Sequence, residues 1–210
     1  MSGRLVAVCV TYALVPDHGG DLEFTGIDKR PVDGPVLVGE LGLPRDEHYD
    51  TRHHGGPDQA AYAYADEDRQ RWAHDLGREL RPGCFGENLV TSGVEVTNAR
   101  IGERWRIGGA EFRVTAPRIP CRTFQWFIDE PQWVRRFTEA GHPGAYLAVT
   151  QPGPVQAGDV IKVMRPEHDV TIGDLFAVLT GDRERLERVA ACPDQTDKTR
   201  EKLAALLVGH

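Results

Sequence analysis

Residues 100–122 read RIGERWRIGGAEFRVTAPRIPCR, two short runs followed by a loop. The runs, Arg100 to Ile107 and Glu111 to Ala116, are separated by Gly108-Gly109. Two glycines can both take positive φ, which a tight antiparallel hairpin requires. The second run gives way to Pro117-Arg118-Ile119-Pro120-Cys121-Arg122, where two prolines restrict the backbone and two arginines flank a thiol. Outward from this hairpin the same texture recurs. Leu5 to Val10, Pro35 to Val38, Asn88 to Thr91, Ala145 to Val149 and Val160 to Met164 are apolar runs of strand length, punctuated by glycine and proline. The expected fold is mainly β, of the α+β class, with helical insertions. Those insertions are Asp66 to Leu80, where Trp72, Leu76 and Leu80 recur every four residues, and Pro131 to Ala140, with proline in the tolerated first turn.

The texture changes after Arg165-Pro166. Thr171 followed by Asp174 is a capping-type start for a helix over Ile172 to Leu179. Gly181-Asp182 breaks the pattern and restarts it, and Pro193 sets off a last helix over about Thr196 to Val208. A tail of about 40 residues cannot bury a core of its own, so it is expected to pack on the first unit or on a second subunit. The expected division is 1–166 for the β domain and 167–210 for a helical segment.

Composition narrows the function. A chain of 210 residues with 40% hydrophobic and 27% charged residues is ordinary globular material. Its net charge of -7 argues against a broad basic surface for nucleic acid or anionic membrane, leaving a small molecule as the expected partner. The apolar run at Leu5 to Val10 is too short for a signal sequence, and no stretch approaches the ~20 residues of a membrane span, so a cytoplasmic protein is expected. Cys9, Cys84, Cys121 and Cys192 are widely spaced, as expected of reduced thiols. Cys9 reads as a small buried hydrophobe and Cys192 as part of a helix connection. The two serines, Ser2 and Ser92, lack a nucleophile elbow, and there is no phosphate loop, dinucleotide fingerprint or H-E-x-x-H helix.

Three segments carry unusual chemistry. In Arg52-His53-His54-Gly55-Gly56-Pro57-Asp58, glycines permit close backbone approach and the cations suit an anion or a polar ring. Adjacent histidines on extended chain point apart, which disfavours a shared metal. In Pro82-Gly83-Cys84-Phe85-Gly86-Glu87-Asn88-Leu89, a carboxylate and an amide emerge from a turn straight into a strand. They face a pocket or satisfy loop backbone. In the third, positive neighbours favour the Cys121 thiolate, which is both a soft metal ligand and a nucleophile; an inert loop cysteine is the plain alternative.

In this order, His54-Gly55-Gly56-Pro57-Asp58, Phe85-Gly86-Glu87-Asn88-Leu89 and Pro117-Arg118-Ile119-Pro120-Cys121 resemble the MOSC domain family, and more closely its YiiM-like branch. Gly144-Ala145-Tyr146-Leu147, Gly158-Asp159-Val160-Ile161 and the Asp169-Val170-Thr171 entry to a three-helix tail extend the resemblance over almost the whole chain. It implies a β-barrel binding the molybdopterin form of molybdenum cofactor, Cys121 as the molybdenum ligand, and reduction of N-hydroxylated substrates of the hydroxylaminopurine or amidoxime type. It also implies that His54, Gly55, Gly56, Gly86, Glu87 and Asn88 wall the cofactor pocket. Arg118 and Arg122 are assigned to the cofactor phosphate from their charge. Thr123-Phe124 stand where that branch commonly has lysine and leucine, which touches substrate preference. The run from Pro44 to Tyr49 also departs from the glycine-rich run usual there.

The expected reaction has Cys121, Glu87 and His54 as catalytic residues, with Glu87 or His54 delivering a proton. A separate donor protein re-reduces the enzyme, since nothing in the chain resembles a flavin or haem site. The rival reading is a non-catalytic cofactor or sulfur carrier using Cys121. Pyridoxal phosphate is disfavoured because Lys29, Lys162, Lys198 and Lys202 all lie outside the three segments. The short tail makes a homodimer an expectation worth testing.

Overall fold

The longest strand, β1 (Ser2–Pro16), pairs along its length with three neighbours, and this decides the architecture. The structure, a computed structural model, describes residues 2–19, 23–44 and 56–209. The other strands are β2 (Phe24–Pro31), β3 (Val36–Val38), β4 (Ala61–Ala65), β5 (Leu89–Ser92), β6 (Arg104–Ile107), β7 (Ala110–Pro117), β8 (Ala145–Gln151), β9 (Gly153–Val155) and β10 (Val160–Met164). The sheet runs β10-β6-β7-β8-β4-β5-β1, and Ser2, Gly3 and Arg4 of β1 pair back onto Lys162, Ile161 and Val160 of β10. Seven strands thereby close into a mixed barrel in which β4 and β5 are parallel. Closure satisfies the backbone groups that open edges would expose. Past the barrel, β1 continues as an antiparallel ribbon with β2, bent by irregularities between Thr11 and Ala13 and between Ala13 and Val15. β3 and β9 form a separate pair.

The barrel bears out the mainly β expectation, and β10 has the bounds expected from sequence. In β6, exposed Arg104 and Arg106 alternate with buried Trp105 and Ile107, the period-two pattern of a half-buried strand. Trp105 Nε1 donates to Glu103 Oε1 at 2.8 Å, so this large ring is buried without an orphaned donor. In the turn after β6, Gly108 takes φ 54 while Gly109 stays at negative φ, so one glycine rather than two supplies the left-handed geometry. β2, β4 and β9 go beyond the strands expected from sequence.

Three helices lie between the strands: α1 (Asp66–Leu76), α2 (Arg122–Ile128) and α3 (Trp133–Ala140). α1 stops short of the expected Leu80 because Gly77 turns left-handed at φ 61 and its N–H bonds the Ala73 and His74 carbonyls. Leu80 is buried from the loop beyond. These helices pack through aromatic rings beside the barrel. Trp72 meets Trp133 at 4.5 Å between centroids, and Phe124 meets Phe137 at 5.2 Å and Phe85 at 5.8 Å. Such pairs add about 0.5–1.5 kcal/mol each beyond burial.

The tail forms α4 (Ile172–Leu179), α5 (Leu186–Ala190) and α6 (Asp197–Val208). Ile172, Leu175, Val178, Leu186, Val189 and Leu203 join Trp105, Phe112 and Val114 in one apolar cluster, so the tail shares the barrel's core. Its entry is locked by a capping box in which Asp174 Oδ2 accepts from Thr171 N and Oγ1 while Thr171 Oγ1 accepts from Asp174 N. Arg188 Nη2 lies 2.7 Å from Asp174 Oδ1.

Burial works to raise the pKa of Asp174, but the Thr171 bonds and Arg188 outweigh it and hold the carboxyl below its ordinary value. A carboxyl depressed by folding stabilises the native state above its unfolded value of about 3.9, and that contribution is lost as pH falls through the folded value. Asp174→Asn is therefore expected to lower stability at neutral pH by about 1 kcal/mol, and by less once pH falls below the ordinary carboxylate range. Denaturant titrations of both proteins at several pH values check this; a difference independent of pH contradicts it.

Candidate functional site

Pro117 ends β7 opposite Ala145 of β8, and the chain then crosses the loop 118–120 to Cys121, which caps α2 with extended backbone at φ -130 and ψ 175. Gln125 N–H bonds the Cys121 carbonyl at 3.1 Å, starting the helix. Phe124 and Ile128, at 0% and 4% exposure, bury the inner face of α2 among the aromatic rings and thereby hold Cys121 at the surface of that cluster. Cys121 is half-buried, whereas Cys9, Cys84 and Cys192 are buried. Burial pushes the Cys9, Cys84 and Cys192 thiols up, so they resist ionisation.

Arg118 joins this loop to the second segment. Its Nη1 donates to the Phe85 carbonyl at 2.7 Å, and its guanidinium carbon lies 4.5 Å from the Phe124 ring centroid and 5.1 Å from that of Tyr62. Arg118 is 7% exposed, and its Nε has no hydrogen-bond partner among the described residues. Burial works against the cation, yet Tyr146, Tyr62, Cys121 and Glu87 around it keep its pKa raised. A buried cation with an unspent donor beside a partly open thiol is suited to an anionic group. Gly86, at φ 72, makes room for it: a Cβ there would lie 3.1 Å from Arg118 Nη1 and from Ile27 Cγ1. Arg122, by contrast, is exposed.

Glu87 and Asn88 are placed differently from the sequence expectation. Glu87 is fully buried, its Oε1 accepting from Gly83 N at 2.6 Å and its Oε2 from Phe85 N at 2.9 Å. Burial raises its pKa, although those amides oppose the rise. The carboxylate ties the 83–87 turn together, a geometry that does not present a proton to a ligand. Asn88 Oδ1 accepts from Tyr62 N at 2.9 Å and Nδ2 donates to Cys9 O at 3.3 Å, clamping β4 and β1 to the start of β5. Both side chains make the backbone contacts that the sequence left open as the alternative to facing a pocket, because a polar side chain at a turn or between strands meets backbone groups first.

Of the first segment, Arg52, His53, His54 and Gly55 lie outside the described residues, as does the run 45–49. Gly56 takes φ 86 with open space around its missing Cβ. Thr115 Oγ1 donates to the Asp58 carbonyl at 2.6 Å, and Arg113 Nη2 lies 3.2 Å from Asp58 Oδ1, which tethers the end of this segment to β7. Tyr62, not singled out in the sequence, meets Tyr146 of the Gly144-Ala145-Tyr146-Leu147 segment with centroids 5.3 Å apart. Alternation in Ala61-Tyr62-Ala63-Tyr64-Ala65 is the signal that marks the first of them. Among the described residues no three His, Cys, Asp or Glu side chains converge as a metal set. Two clefts, of about 740 Å³ and about 420 Å³, lie away from Cys121, the larger beside Arg69, Arg81 and Cys84 and the smaller beside Thr171 and Arg185.

Replacing Glu87 by Gln puts an NH2 against a backbone N–H and leaves one buried donor unpaired. The expected loss is about 1–3 kcal/mol, seen as a melting temperature lower by roughly 2–12 °C. An unchanged melting temperature contradicts the structural assignment of this carboxylate.

The MOSC domain model matches residues 50–162. The chain is 32% identical to protein YiiM of Escherichia coli over 157 residues, covering 73% of this chain and 70% of that one. It is 28% identical to a protein of Gibberella moniliformis named "Reductase", covering 83% of this chain but 32% of that longer one. The crystal structure of YiiM from Geobacillus stearothermophilus superposes with a TM-score of 0.78 at 24% identity, covering 97% of this chain and 98% of that one. A closed barrel with a helical tail, and a rigid loop presenting the half-buried Cys121 beside Arg118, accompany a family match over more than half the sequence: the chain belongs to the MOSC domain family.

Proposed function

We propose that this protein is a molybdenum-cofactor-dependent reductase of N-hydroxylated compounds. One observation carries the reading: Cys121 is the partly open thiol of a rigid loop whose neighbour, Arg118, is buried with an unspent Nε donor. These residues fit the cofactor, since a single cysteine sulfur can hold molybdenum when pterin sulfurs supply further ligands, and Arg118 offers a charge-assisted bond to an anionic group. The name of the Gibberella relative supports a reductive activity.

The bound cofactor supplies two-electron reduction chemistry. Cys121 Sγ anchors the metal, and the aromatic cluster behind α2 fixes that sulfur. Arg118 and the side-chain-free turn at Gly86 hold and admit the anionic part of the cofactor. Tyr62 stays protonated, because burial pushes its pKa well up, and its Oη donates to the Pro143 carbonyl at 2.8 Å. With Glu87 committed to its turn, His54 is the remaining proposed proton donor. The balanced reaction takes R–NHOH, two electrons and two protons to R–NH2 and water. The N–O bond breaks, and a separate donor protein provides the electrons.

Protein expressed with cofactor supply is expected to retain molybdenum and to reduce an N-hydroxylated base with a chemical electron donor, and Cys121→Ala is expected to abolish both. No molybdenum above the Cys121→Ala level ends this reading, and retained metal without turnover favours the carrier. Arg118→Met removes a charge-assisted bond of about 1.5–3 kcal/mol, so cofactor retention is expected to fall roughly 10–100-fold. A melting curve of the same variant separates that loss from unfolding.

A further inference from the structure

The larger cleft has no part in any role assigned so far. It holds about 740 Å³, within the size range of small-molecule sites, and neither Cys121 nor Arg118 lines it. The end of α1 shapes it. Gly77 turns left-handed there, and the chain leaves as Arg78-Glu79-Leu80-Arg81, with Arg78 Nη2 donating to the Ile128 carbonyl at the end of α2. Leu80, Phe127 and Ile128 give the cleft an apolar wall. Leu80 and Ile128 are 6% and 4% exposed, so this wall is anchored in the core.

Arg69, Arg78 and Arg81 line the cleft against one carboxylate, Glu79. That reverses the sign of a chain whose net charge is -7. The carboxylates paired with these arginines stand outside the lining, and two of them are shared. Asp28 serves both Arg81 and Arg30, and Glu130 lies 3.4 Å from Arg78 and 3.3 Å from Arg136, so neither neutralises its cleft arginine alone. Other contacts go to backbone: Arg69 Nη1 donates to the Leu80 carbonyl and Arg81 Nη1 to the Lys29 carbonyl. A carbonyl orients a guanidinium without cancelling its charge. Arginines that only stapled this loop would leave little unspent, yet Arg78 uses Nη2 alone. Its Nε and Nη1 have no partner among the described residues, and its side chain is 41% exposed.

We infer that this cleft is a second binding site, for a small organic anion that joins a phosphate or carboxylate head to an apolar body. Guanidinium groups already oriented by backbone carbonyls bind such a head with little further ordering, and Arg78 offers it two unspent nitrogens. The wall of Leu80, Phe127 and Ile128 takes the body. Glu79, exposed at the rim, opposes the anion and sets how tightly it binds. The inference is independent of the reductase reading, because it uses no residue of the Cys121 loop.

The test is calorimetric titration of the full chain with phenyl phosphate, with benzoate as the carboxylate counterpart and inorganic phosphate as the head alone. Wild type is expected to bind phenyl phosphate saturably, and inorganic phosphate about tenfold more weakly for want of apolar contact. Whichever of phenyl phosphate and benzoate binds more tightly identifies the head. Arg78→Gln is expected to raise Kd for phenyl phosphate about tenfold, with a melting curve to show that the variant is folded. Glu79→Gln changes an exposed side chain with no ion pair among the described residues, so it keeps the fold; it is expected to lower that Kd about threefold. Arg135→Gln, which removes an exposed arginine of α3, and Cys121→Ala are expected to leave it within about twofold. The inference is overturned by no saturable binding of phenyl phosphate, by inorganic phosphate binding as tightly, or by a Kd that Glu79→Gln does not lower. Binding lost in Cys121→Ala assigns the anion to the cofactor site and overturns it as well.

Discussion

The pairing of β1 with both β5 and β10 is the constraint on which the rest of the molecule depends. Arg4 faces Ser92 on one side and Val160 on the other, so a single strand closes the barrel and removes two edges at once. Closure leaves the second half of a 15-residue strand with no further barrel to enter. That half becomes the bent ribbon with β2, and its turn is delivered to the Cys121 loop. The strand that completes the fold therefore also leads into a turn that packs on α2.

Around the thiol, polar groups are divided by what they meet first. Glu87 and Asn88 emerge where three strands converge and are taken up by backbone amides, which makes them part of the frame. Arg118 reaches across the frame to the Phe85 carbonyl with one nitrogen and keeps Nε unspent. Cys121 is set by helix α2, whose inner face is anchored by Phe124 and Ile128. Rigidity of this kind suits a metal ligand, because the sulfur need not reorganise when the metal binds.

Residues with a strong local signal were readable in the sequence. β10 and α4 keep their expected bounds, since alternation in one and a capping box in the other act over a few residues. β4 was missed because all five of its residues are buried, which removes the polar half of the alternation. β2 was missed because Asp28 and Lys29 read as surface residues, while Asp28 is buried through ion pairs with Arg30 and Arg81. α2 carries no capping side chain and spans 7 residues, so packing alone makes it a helix. Cys121 and Arg118 could be singled out in the sequence as a candidate site because proline stiffness and charge are local properties.

By itself, the sequence determined a mainly β chain with a helical tail and the family to which it belongs, and it singled out the loop that carries Cys121. These follow from period, turn chemistry and motif order, all of which act between near neighbours. Tertiary structure alone decided that Glu87 ties its own turn and Asn88 joins strands, that Arg118 Nε has no partner among the described residues, and that Asp17 and His18 stand against the Cys121 helix. A side chain's partner is set by which elements converge on it, and Asp17 meets Thr123, 106 positions further along the chain.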